Sequence, residues 1–210
     1  MLTTKEKIPF TYDKLKEEPS IVRDASAPYM YSAREYDGED IEKLSEWSRA
    51  ELINGKLYML SAPNRLHQYF VAELLFEIKS YIRKNNGKCD VYASPFDVRL
   101  FGDDSTIVQP DILVVCNKDI LTEKGCSGAP DWVIEIVSKS NSSHDYVRKL
   151  MQYQKAGVRE YWIVDPDRGR TTVYFLERAD APVLYSFDQP IASGIFPGLV
   201  VTISDLLSGE

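Results

Sequence analysis

Two acidic residues sit among apolar residues that read as buried strand. Asp111 lies in Val108-Gln-Pro-Asp-Ile-Leu-Val-Val115, and Glu135 lies in Pro130-Asp-Trp-Val-Ile-Glu-Ile-Val-Ser138. β-Branched and large apolar neighbours favour a pleated, buried setting. A carboxylate there needs a counter-charge, because desolvating an unpaired ion costs several kcal/mol. Two carboxylates on neighbouring strands invite one cation between them, which is how a divalent metal site arises. The plain alternative for Glu135 is an ion pair with an Arg or Lys from a covering helix. Strand alternation puts Val133, Glu135 and Val137 on one face and Trp132, Ile134 and Ile136 on the other.

A helix expected at about Ser143–Ala156, stopped by Gly157, supplies partners. Asp145, Lys149 and Gln152 share one stripe at i, i+4 and i+7. Lys149 is expected to reach over the sheet to Glu135 and Asp111. The bland reading of Asp145 and Lys149 is a surface ion pair worth about 0.3–0.5 kcal/mol. Tyr153, one turn on, reads as packing. His67 and His144 form no histidine metal signature.

Other elements must hold these residues. Asn54-Gly55 between apolar runs is a hairpin signal. Asn64 caps a helix that runs to Asn86-Gly87, with Phe70, Val71, Leu74, Leu75, Ile78, Tyr81 and Ile82 at helical spacing. Strands are expected over Lys88–Leu100, Gln109–Cys116 and Asp131–Ser138, and a hairpin over 160–176 around Pro166-Asp-Arg-Gly169. The class is α+β, with a central mixed β-sheet flanked by helices and an N-terminal extension. Residues 1–49 read as an arm with a lead-in helix, and 50–210 as the domain. Within the arm only Tyr12–Glu18 could make a short helix, and Ser32–Arg49 reads as a surface helix or a partly ordered lead-in.

The composition is that of a globular chain, 44% hydrophobic and 27% charged. No apolar run is long enough for a membrane span, and the N-terminus lacks a signal-peptide core. The three cysteines, Cys89, Cys116 and Cys126, lack CxxC spacing, so free thiols in a reducing cytoplasm are expected. A net charge of −7 argues against a protein that coats nucleic acid non-specifically. It leaves room for an enzyme with a local basic patch. No glycine-rich phosphate loop is present.

In order and spacing, several segments resemble the Uma-type restriction endonuclease-like family of the PD-(D/E)xK nuclease superfamily. They are Glu51-Leu-Ile-Asn-Gly-Lys-Leu57, Ser94-Pro-Phe-Asp-Val-Arg-Leu100, Gln109-Pro-Asp111, Pro130–Ser138, Asp145-x-x-x-Lys149-x-x-x-Tyr153 and Ala156–Pro166. The resemblance implies that Asp111 and Glu135 are the two acidic half-motif residues and that Glu51 completes the site. The superfamily lysine is expected two residues after the glutamate, where Val137 stands. Lys149 takes that role in this reading, with Lys139 as rival. Gln109, two residues before Asp111, and Asp97 also belong to the matching segments.

The implied activity is Mg²⁺- or Mn²⁺-dependent phosphodiester hydrolysis by a DNA endonuclease. Asp111, Glu135 and the Ile136 backbone carbonyl are the expected ligands, since hard cations take oxygen donors. Cleavage of two strands by a chain with one site implies a homodimer. The alternative is an inactive nuclease-fold protein that binds nucleic acid or a protein partner. A hydrolase acting on another phosphate ester is a third reading.

Overall fold

Residues 21–23, 30–32, 36–43, 49–137, 143–178 and 180–207 are described by a computed structural model. The expected Tyr12–Glu18 helix and Lys139 lie outside these residues. Strands β1 (Ile21–Arg23) and β2 (Met30–Ser32) pair antiparallel. Helix α1 spans only Gly38–Glu42. Asp37 caps it, its carboxylate accepting the Asp40 N–H while Asp40 returns the favour to Asp37. So among the described residues the lead-in helix shrinks to little more than one turn. A glycine at its first position and no basic residue at its end give it little helical support.

Strands β3 (Ala50–Ile53) and β4 (Lys56–Met59) form the expected hairpin. Its turn residues Asn54 and Gly55 have φ of 50° and 72°, the left-handed pair that a two-residue hairpin needs. Helix α2 (Arg65–Lys84) begins at Asn64, whose side chain accepts the His67 N–H at 2.8 Å. Its buried stripe is His67, Phe70, Val71, Leu74, Ile78 and Ile82.

One expected strand breaks in two and another shortens. Lys88–Leu100 becomes β5 (Asp90–Ala93) and β6 (Asp97–Arg99), parted at the cis Ser94–Pro95 bond. Gln109–Cys116 shortens to β8 (Ile112–Val115), with β7 (Thr106–Val108) ending before Gln109-Pro110-Asp111. Proline donates no ladder hydrogen bond, so each break falls at one. Then follow β9 (Leu121–Thr122), β10 (Gly125–Ser127), β11 (Trp132–Ile136) and α3 (Ser143–Ala156). The chain closes with β12 (Glu160–Asp165), β13 (Arg170–Phe175), β14 (Val183–Ser186), β15 (Pro190–Ala192), β16 (Val200–Thr202) and α4 (Ile203–Leu206).

The breaks route the chain between sheets. One six-stranded sheet has the order β4-β3-β7-β6-β10-β9, and the other β14-β13-β12-β11-β8-β5. The class is α+β as expected, but two large sheets replace one central sheet. Both are mixed: β6 with β10, and β11 with β12, run parallel, while their other pairings are antiparallel.

Alternation sorts the core. Trp132, Ile134 and Ile136, with Ile112 and Val114, face α2 and the C-terminal β15–β16 hairpin. Val133, Leu113 and Val115 face the first sheet, meeting Ile53, Val98 and Val108 beside Tyr153 of α3. Full burial of one such aliphatic side chain stabilises by about 1.5–3 kcal/mol. Glu51 alternates with Leu52 and so shares the inward face with Ile53. Glu135 and Glu51 therefore point into the seam between the sheets.

The free-thiol expectation is corrected for two of the three cysteines. Cys89 and Cys116 form a disulfide, and Cys126 is free and buried. The register Asp90↔Val115 sets Cys89 opposite Cys116 across β5 and β8, a meeting that their separation of 27 residues conceals. Among the described residues no helix is long and apolar enough to cross a membrane.

Candidate functional site

The carboxylates converge because the sheets part beside β3, β8 and β11. Glu51 comes from β3 in the first sheet and Glu135 from β11 in the second. Asp111 sits on the crossover between β7 and β8, not inside a strand as the sequence suggested. All three line one cleft of about 110 Å³, together with Lys149, His67 and Arg49. Glu51 and Glu135 are almost wholly buried, with 1% and 5% exposure.

Lys149 reaches the seam from α3 and is itself only 5% exposed. Its Nζ lies 2.8 Å from Glu51 Oε1 and 3.0 Å from Glu135 Oε1. The expected reach to Glu135 is present, with Glu51 as its second partner. Asp111 has partners of its own: Oδ2 accepts the Ile136 N–H at 2.8 Å and meets His67 Nε2 at 3.0 Å. The Ile136 N–H thus ties Asp111 to the end of β11. Gln109 donates its backbone N–H to Glu51 Oε1 at 2.8 Å and its side-chain amide to Asp97 Oδ1 at 2.8 Å. Asp145 lies in α3, but its side chain, like Lys139, falls outside the described residues.

Sequence reasoning missed three neighbours. Tyr153, read as packing, is fully buried and donates its hydroxyl to Glu135 Oε1 at 2.9 Å. Its signal was available: it lies four residues after Lys149, on the same helical face. His67, set aside for lack of a metal signature, pairs with Asp111, and its Nδ1 is buried without a partner. Arg49 precedes β3 by one residue and faces the same way as Glu51, a relation visible once the strand is placed.

The electrostatics favour an added positive charge. The Glu135 carboxyl is raised to about 8, first by burial; Lys149 works against the rise, while Asp111 and Glu51 add to it. Tyr153 is likewise held well above its usual range, first by burial and then by the Glu135 charge. One ammonium serves two glutamates here, beside a third carboxylate.

The donor set of Glu51, Asp111 and Glu135 is all oxygen, which suits Mg²⁺ or Mn²⁺. Among the described residues no three acidic, histidine or cysteine side chains close into a finished metal cluster. The Lys149 ammonium lies between Glu51 and Glu135 instead. The residues fit a divalent cation in charge and donor type, in an arrangement that an ammonium at present holds together.

Residues 37–204 match the Uma2 family, described as a putative restriction endonuclease. The chain belongs to the Uma2 family. A crystal structure of a putative nuclease belonging to DUF820 from Anabaena variabilis shares its fold, with a TM-score of 0.69 and 25% identity. The match covers 82% of this chain and 98% of that one. No curated protein matches the sequence. Within the Uma2 match fall all the cleft residues described above, together with Tyr153 behind Glu135.

Proposed function

We propose that this Uma2 chain is a metal-dependent nuclease that hydrolyses phosphodiester bonds in DNA. The observation that carries the reading is the convergence of Glu51, Asp111 and Glu135 on one cleft with a buried lysine between them. The family description and the nuclease of like fold support it. Asp111 and Glu135 would hold Mg²⁺ or Mn²⁺, with Glu51 and the Ile136 carbonyl as further donors. A bound cation supplies Lewis-acid activation of water and charge neutralisation at the phosphate.

This chain's own groups do the rest. The Ile136 N–H and His67 fix one oxygen of Asp111, which frees the other for the cleft. Tyr153 fixes Glu135. Lys149 orients the attacking water and stabilises negative charge growing on the phosphate, in a site where burial strengthens such interactions. No side chain need be acylated or phosphorylated. We place two copies at a duplex, one per strand.

The test is nicking of supercoiled plasmid with Mg²⁺ or Mn²⁺, and without metal. Asp111→Asn and Glu135→Gln should fold and lose at least a hundredfold in rate. Undiminished cleavage by either variant defeats the assignment. One observation favours the second reading, a binding module: Lys149 already bridges two of the three carboxylates. A chain that takes up Mg²⁺ and binds DNA yet never nicks it supports that reading.

A further inference from the structure

The cleft has a cationic pole as well as an acidic one. Arg49 is half-buried in the cleft wall, two residues before Glu51 and on the same face. The Leu60 N–H donates to the Arg49 carbonyl at 2.8 Å, which continues the β3–β4 ladder and fixes that alternation. An arginine so near a buried glutamate would ordinarily pair with it. Here Gln109 stands between them: its backbone N–H takes Glu51, and its side-chain oxygen accepts from Arg49 Nε at 3.2 Å. Arg49 Nη2 donates to the Ser94 hydroxyl. Both partners are neutral, and among the described residues no carboxylate forms an ion pair with this guanidinium. Two of its five N–H donors are used, and three remain.

Its surroundings add to the case. Asp97, a second acid in this network, is held by the Gln109 amide and not by Arg49. Helix α2 opens on the same cleft with no acidic residue in its first turn. Its N-terminal dipole therefore adds positive potential. A guanidinium with no direct carboxylate partner and with free, coplanar donors matches a tetrahedral anion bearing two adjacent oxygens.

We propose that Arg49, held by Ser94 and Gln109, is the phosphate-binding subsite of this cleft. It would grip non-bridging oxygens of a nucleic-acid backbone phosphate beside the Glu51–Asp111–Glu135 cluster. The inference rests on the nuclease reading above and adds the residue that grips the strand. Because the grip is electrostatic, it acts before hydrolysis and can be read without it.

The experiment is fluorescence anisotropy of a labelled 20-base-pair DNA with the full chain across a salt series, in EDTA and again in Ca²⁺. Each phosphate contact contributes about 0.9 to the slope of log affinity against log salt. Arg49→Gln should bind about tenfold more weakly at low salt, and its slope should fall by about one contact. Arg49→Lys should keep the slope and still lose affinity, since an ammonium cannot make the paired grip. A merely structural role would lower the melting temperature and leave the slope alone. A Gln variant with the wild-type slope overturns the subsite, and so does a Lys variant with full affinity. Should the Gln variant not fold, the Lys variant decides. Wild-type chain that binds no duplex under either condition defeats the nuclease reading and the subsite with it. Binding that ignores Arg49 defeats the subsite alone.

Discussion

Replacing Lys149 by methionine tests the electrostatic core of the site. The side chain stays long and unbranched, one atom shorter, and loses its charge. Glu51 and Glu135, 2.8 and 3.0 Å from the ammonium, are then left buried without a cation. Breaking a buried pair by removing one partner costs about 3–5 kcal/mol. In a chain of 210 residues that lowers the melting temperature by roughly 6–20 °C. The loss depends on pH. Glu135 keeps its proton in the folded chain up to about 8, against 4.5 as the ordinary value. Between those values the folded state binds more protons than the unfolded one, so stability falls as pH rises through that window. Removing Lys149 deepens the fall. The deficit should be modest near pH 5.5, where a proton can replace the ammonium, and full near pH 9. Mg²⁺ should restore more stability to the variant than to the wild type at high pH. Circular-dichroism melts at the two pH values, with and without Mg²⁺, give the answer. A variant as stable as the wild type at pH 9 refutes the claim that these carboxylates need this cation.

Two further outcomes follow from the geometry. Tyr153→Phe removes the hydroxyl that donates to Glu135, at a cost of about 1–3 kcal/mol in melts at pH 9. It should also weaken Mn²⁺ binding, measured by calorimetry, by about tenfold or more, as losses of groups that orient metal ligands do. Cys89→Ser opens a loop of 27 residues and should cost about 3–4 kcal/mol in denaturant titrations. Reductant should lower the wild-type midpoint to that of the variant and leave the variant unmoved, because Cys126 is not bridged.

Most of the local structure was legible. The Asn54-Gly55 hairpin, the Asn64 cap, the Gly157 stop and the faces of β11 follow from residue type and period. Asp111, Glu135 and Lys149 were legible from residue type, since an acid in an apolar run demands a partner, whereas Glu51 entered only through the family resemblance. What escaped was relation across the fold. Pro95 and Pro110 signal breaks, yet nothing local says that each break sends the chain to another sheet. The pairing of Cys89 with Cys116 depends on register between β5 and β8, which only the folded ladder sets. Tyr153 read as packing and His67 as lacking a metal signature; their polar ends matter only once α2 and α3 are docked against Asp111 and Glu135.

The two proline breaks also make the cleft indivisible. One sheet carries Glu51, the other carries Glu135, and Asp111 lies on the thread that stitches them. A fragment built from either sheet alone would inherit half a constellation, however well it folded. Shortening the domain, or grafting its chemistry onto a smaller scaffold, must therefore preserve both stitches and the angle they set between the layers.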